Sequence, residues 1–187
     1  MAQDAQPTLP ERIELLHREL SAAGIPHAFG GALALAYYAE PRATNDIDVN
    51  LFIPPDEHAT AVGALNLLGA NISKADLSRL LDDGQCRAHW GTTPIDLFFA
   101  NHPFHQAMQT AARGVPFGRG TIPILSAEHL IVCKALYDRP RDWLDVEQVL
   151  QQGPPLDRKE VKRWMDVFVD AADPRGARLA KLLELAR

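Results

Sequence analysis

The sequence predicts an α+β protein whose first half holds a mixed sheet and whose second half is helical. Three observations carry this reading. Apolar residues alternate in short runs around Ile47, Cys86 and Ile95. After Pro123 they recur almost throughout at helical spacing, and a Gly153-Pro154-Pro155 break divides those helices. The expected division is a core over 1–122 and a helical lobe over 123–187 packed on it, with a boundary soft enough for one continuous domain.

In order along the chain, Ile13, Leu16 and Leu20 are spaced as one face of an opening helix over Glu11 to Ala23, which Gly24 and Pro26 end. His27 to Phe29 reads as a short strand running into Gly30-Gly31, and Ala32 to Tyr38 is small and apolar enough for a buried helix. Ile47, Val49, Leu51 and Ile53 alternate with Asp46, Asp48 and Asn50, the period of two of a strand with one buried face, and Pro54-Pro55 stops it. Helices are expected over Asp56 to Leu68 and, more briefly, Leu77 to Leu81. A hairpin follows, with strands Cys86 to Trp90 and Ile95 to Phe99 joined by Gly91-Thr92-Thr93-Pro94. A helix over Phe104 to Ala112 and short extended pieces at Val115 to Phe117 and Ile122 to Leu125 complete the first half. Ser126 is placed to cap a helix reaching Tyr137, Arg141 opens another to Gln151, and two more follow the proline break.

Composition narrows the class of partner. With 47 % hydrophobic residues the chain has enough apolar surface for a shared core. No apolar run approaches the roughly 18 residues of a membrane span, and Met1 to Pro10 lacks a signal-peptide apolar stretch, so a cytoplasmic protein without membrane contact is expected. Cys86 and Cys133 lie far apart, outside any metal-ligand spacing, and read as reduced thiols. A formal net charge of −5 offers nucleic acid no global attraction. The densest basic stretch, from Arg158 through Lys181, is interleaved with Glu160, Asp166, Asp170 and Asp173 and reads as a solvated helix face.

The chemistry concentrates between Gly30 and Asp96. Residues two apart in a strand share a face, so Asp46 and Asp48 place two carboxylates side by side. Their mutual repulsion is relieved by a hard cation, and magnesium favours a few carboxylates together with substrate phosphates. Gly30-Gly31 at the mouth of the preceding helix would let backbone N–H groups approach a triphosphate. Asp96 stands between Ile95 and the apolar Leu97, Phe98 and Phe99, where a buried carboxylate needs a cation, a hydrogen-bond network or a metal. Alone, a glycine pair is mostly a turn and an Asp-x-Asp mostly chance; together with the third acid they point one way.

In this order, Gly30-Gly31, Asp46-Ile47-Asp48 and Asp96 resemble the signature of the nucleotidyltransferase superfamily. The resemblance implies a mixed sheet flanked by helices, Mg2+ or Mn2+ held by Asp46, Asp48 and Asp96, and a nucleoside triphosphate (NTP) as substrate. It further implies that Asp96 helps deprotonate an acceptor hydroxyl while pyrophosphate leaves. A second segment, Leu125 to Lys134 and then Asp138 to Asp145, is similar to the helical region of AbiEii-type nucleotidyltransferases of toxin–antitoxin and phage-defence systems, with Arg141 where lysine is common. That likeness implies a transfer RNA or other macromolecular acceptor and an antitoxin partner. An aminoglycoside-like small-molecule acceptor and a catalytically silent binding module on the same fold are the alternatives, and the acidic net charge suits a cationic acceptor.

Lys134 continues the apolar stripe of Ala127, Leu130 and Ile131, a position where lysine is rare. It is read either as a catalytic, triphosphate-binding cation or as a snorkelling side chain paired with Asp142. Asp142 in turn is either part of the acidic centre, an orienting partner for Lys134, or a first-turn acid favoured by the helix dipole. Arg42 and Thr44, in the loop before the acids, are candidate phosphate contacts. Arg139 and Arg141 flank Pro140 where a second phosphate-bearing substrate could dock. His27, His89, His102 and His105 show no ligand spacing, and Trp143 and Trp164 read as core.

Overall fold

The computed structural model describes residues 6–186, so the start of the Met1 to Pro10 segment lies outside the described residues. The chain forms two compact units: a sheet unit, through Phe29 and again over Thr44–Ile124, and a helical unit of Gly30–Ala43 with the residues from Leu125 onward. The segment Gly30–Ala43, which sequence order assigns to the first half, clusters with the helices instead.

The sheet unit opens with α1 (Leu9–Ala22), its capping box made by Thr8 and Glu11. Ile13, Leu16 and Leu20 are buried as their spacing requires, and Arg12 is buried with them. The Arg12 guanidinium donates to the carbonyls of Pro7, at 2.9 Å, and Trp90, and lies over the Trp90 ring. Strands β1 (His27–Phe29) and β2 (Ile47–Leu51) follow, then a 3-10 turn at Pro55–Glu57, α3 (His58–Leu67), β3 (Asn71–Ile72) and α4 (Lys74–Asp83). After β4 (Gln85–Trp90) and β5 (Thr93–Phe99) come α5 (Pro103–Ala111), β6 (Arg113–Phe117) and β7 (Gly120–Ile124).

The strands form one seven-stranded sheet in the order β3-β4-β5-β2-β1-β7-β6. β2 pairs parallel with β5 and β1 parallel with β7, and the other neighbours are antiparallel, so the sheet is mixed. β3 is only two residues long and carries no alternation from which sequence could place it. The β4–β5 connection is tighter than the expected four residues. Thr93 and Pro94 belong to the strand, and Gly91, with φ +60°, supplies the left-handed conformation of a two-residue turn.

In the helical unit, α2 (Gly31–Leu35) is shorter than the Ala32 to Tyr38 helix expected. Tyr38 lies beyond it, and its hydroxyl donates to the Leu125 carbonyl at 2.7 Å. The helices α6 (Ala127–Tyr137), α7 (Pro140–Gln152), α8 (Arg158–Phe168) and α9 (Pro174–Leu185) start at Ser126, Pro140, Asp157 and Pro174, the caps and first-turn prolines that sequence supplies. α6 is the centre of this unit, packing against α2, α7, α8 and α9. Trp143 and Trp164 are core, and Lys162, Arg163 and Arg175 of the basic stretch pair with Asp166, Glu160 and Asp173. Among the described residues no helix is long and apolar enough to cross a membrane.

Candidate functional site

The three signature carboxylates all belong to the sheet unit, and strand register explains why they meet. β2 and β5 run parallel with Asp48 opposite Asp96, and β4 and β5 run antiparallel with Arg87 opposite Asp96. Arg87, Asp96 and Asp48 therefore form one cross-strand row, and residues opposite each other in a ladder share a face. Asp46 lies one residue before β2, in the same phase as Asp48. Thr44 Oγ1 donates to the Asp46 carboxylate. The loop threonine expected to touch phosphate is thus engaged with the first acid.

Asp96 corrects an expectation. Its side chain is half-buried rather than buried, and the Arg87 guanidinium holds it with two hydrogen bonds of 2.6 and 2.7 Å. The cation that the apolar surroundings of Asp96 demand is this arginine. Two parallel N–H···O bonds in a charged fork are among the stronger polar contacts a protein makes. The hydrogen bond and charge of Asp96, with smaller contributions from Asp46 and Asp48, raise the Arg87 pKa above its ordinary value. Arg87 thus feels all three acids.

Among the described residues no group of three or more His, Cys, Asp or Glu side chains is arranged to hold a metal ion. The bidentate Arg87 contact commits both oxygens of Asp96. The donor chemistry itself fits the expected metal. Asp46, Asp48 and Asp96 offer hard anionic oxygens from two adjacent strands, the set that Mg2+ or Mn2+ takes.

The remaining candidates belong to the helical unit. Gly31 adopts φ +52° at the start of α2, a backbone that L-residues avoid, and Gly30 precedes it as N-cap. With five residues, α2 is too short to present much of a helix dipole.

Lys134 is 4 % exposed, and its Nζ donates to Asp145 Oδ2 at 2.5 Å with Asp142 Oδ1 at 3.7 Å. Its main partner is Asp145 rather than the Asp142 expected. Arg42 donates to both oxygens of the same Asp145 at 3.1 to 3.3 Å. Arg139 clamps Asp142 at 2.5 and 3.1 Å. The result is a chain Arg42–Asp145–Lys134–Asp142–Arg139 whose two carboxylates are almost wholly buried. Burial pushes the Asp145 carboxyl up, but hydrogen bonds and charge from Lys134 and Arg42 outweigh it and hold the group below the ordinary carboxylate value. In this arrangement Arg42, Lys134 and Asp142 are parts of one buried ion network.

Arg87 and Asp145 are the two residues sequence reasoning passed over. His27 is structural, its Nε2 at 2.9 Å from His17 Nδ1 and its Nδ1 at 2.8 Å from the Ile25 carbonyl, and His102 caps α5.

Neither a protein-family model nor a curated protein matches the chain. Solved structures do. ANT(2'')-Ia in complex with adenylyl-2''-tobramycin aligns with a TM-score of 0.63 at 18 % identity, covering 87 % of this chain and 97 % of that one. A solution structure of the same antibiotic-resistance factor gives 0.61 at 16 %, covering 83 % and 88 %. The lincomycin-bound lincosamide antibiotic adenylyltransferase LnuA gives 0.52 at 14 %, covering 77 % and 97 %. At these identities the likeness is one of fold, and the chain has the nucleotidyltransferase fold: a mixed sheet flanked by helices, followed by a helical lobe.

Proposed function

We propose that the chain is a metal-dependent nucleotidyltransferase that moves a nucleoside monophosphate from an NTP to a hydroxyl of a small polar acceptor, releasing pyrophosphate. The observation that carries this reading is the row on β2 and β5, where strand register brings Asp48 beside Asp96 with Asp46 in the same phase, in a chain of this fold. Asp46, Asp48 and Asp96 are the residues that would hold Mg2+ or Mn2+. When bound, the metal supplies charge neutralisation for the triphosphate and for the attacking and leaving oxygens.

The rest of the step belongs to the chain and its substrates. The acceptor hydroxyl oxygen forms a bond to the α-phosphorus, the bond from that phosphorus to the bridging oxygen breaks, and pyrophosphate departs with the electron pair. Asp96 takes the hydroxyl proton, and Asp46 and Asp48 would hold the metal whose charge the two reacting oxygens need. Gly30 and Gly31 are assigned to triphosphate backbone contacts. Thr44 is assigned to orienting Asp46, and Arg42, Lys134 and Asp142 to binding or positioning around the nucleotide.

A small acceptor is favoured because ANT(2'')-Ia and LnuA were solved with adenylyl-2''-tobramycin and lincomycin, and because a chain of net charge −5 attracts a cationic molecule better than RNA. The toxin reading, with tRNA as acceptor and an antitoxin partner, rests on the Leu125 to Asp145 likeness alone.

The test is transfer of label from each of four α-labelled NTPs, with Mg2+ or Mn2+, to aminoglycosides, lincosamides, total RNA and total protein. The Asp46→Ala/Asp48→Ala variant is the control. Label in the small-molecule fraction that vanishes in the variant is the expected result. Label in RNA would put the toxin reading ahead, and no label together with no thermal stabilisation by any NTP would leave the fold without the activity.

A further inference from the structure

The bidentate contact between Arg87 and Asp96 places a positive charge on the third acid of the proposed metal site, and this deepens the reading above, on which it rests. β4 alternates exposed and buried residues, and Arg87 is on its exposed phase with half of its side chain in water. Its fork nevertheless commits both Asp96 oxygens, at 2.6 and 2.7 Å, and it stands in the same cross-strand row as Asp48.

We propose that Arg87 is a displaceable counterion of Asp96 that must release it before the three carboxylates act together. Metal affinity is then set by competition, because an ion that takes Asp96 does so against an intramolecular guanidinium. Release therefore links metal loading to the joint action of the three carboxylates. Arg87 is a positioning residue acting through Asp96. Lysine would keep the charge but not the fork, which separates a competing grip from a mere background field.

The experiment is Mn2+ binding without nucleotide, followed by electron paramagnetic resonance of free Mn2+. It compares the unaltered protein with Arg87→Ala, Arg87→Lys and Asp46→Ala/Asp48→Ala. Arg87→Ala is expected to tighten binding about two- to fivefold, the worth of a well-formed but solvent-exposed ion pair. Arg87→Lys should recover most of that gain, and the double aspartate variant should lose binding. Equal or weaker binding by Arg87→Ala, while the double variant still abolishes it, overturns the counterion role and leaves the metal site standing. Arg87→Lys binding as weakly as the unaltered protein also overturns it in favour of simple field repulsion. Absence of Mn2+ binding in every protein overturns the metal-dependent reading and the inference with it.

Discussion

Two clusters of the same charged groups sit in this chain under opposite conditions. In the sheet unit a half-exposed arginine holds a half-buried aspartate, and in the helical unit Lys134 and two aspartates are withdrawn from water almost completely. The comparison teaches that contact distance does not measure what an ion pair does. Both have contacts near 2.5 to 2.7 Å, yet water can take over the partners in the first, whereas in the second no group can lose its partner without leaving an uncompensated buried charge. The first is suited to exchange of partners and the second to fixing helices α6 and α7 in register.

The largest expected effect breaks the second cluster. Asp145→Ala removes the shared anion of Lys134 and Arg42, and we expect about 3–5 kcal/mol of destabilisation in urea unfolding followed by helical circular dichroism. Asp145→Leu combined with Lys134→Met replaces the pair by apolar groups of similar size, and the double variant should be clearly more stable than Asp145→Ala. An Asp145→Ala cost below about 1 kcal/mol would make the buried network equivalent to a surface pair.

A smaller effect sharpens the same contrast through pH. The folded-state pKa of Asp145 lies below its ordinary 3.8, so this carboxylate contributes stability that is present above the unfolded pKa and is lost as pH falls through the folded one. The stability gap between the unaltered protein and Asp145→Asn should therefore stay constant from neutral pH down to about 4 and close below that. A gap that already closes between pH 7 and 5 would place the controlling titration elsewhere.

How far the sequence foretold these clusters depends on register. The alternation around Ile47 places Asp46 and Asp48 together, and β2 forms where that alternation lies. Arg87 was not legible, because its place opposite Asp96 follows only from the turn. Counting outward from Trp90↔Thr93 pairs Arg87 with Asp96, whereas a connection of four residues would have set His89 there. Asp145 had a signal in the stripe Asp142, Asp145, Val146 and Val149, all buried on one face of α7, but a first-turn acid has so ordinary an explanation that Asp142 drew the attention. The grouping of Gly30–Ala43 with the helices depends on contacts distant in sequence, such as Tyr38 to Leu125 and Arg42 to Asp145, which no local pattern encodes.

The smallest expected effect tests the first cluster as a structural element. If the Arg87–Asp96 pair serves exchange rather than architecture, removing it should hardly change folding. Arg87→Ala is expected to cost less than about 1 kcal/mol, and a double-mutant cycle with Asp96→Asn should give a coupling in the same range that shrinks as salt is raised. The Asp145–Lys134 coupling should hold in the same salt series, since buried charges are screened far less. A salt-resistant coupling of several kcal/mol for Arg87 with Asp96 would mean that the arginine is a fixed part of the sheet, and the contrast between the two clusters would fall.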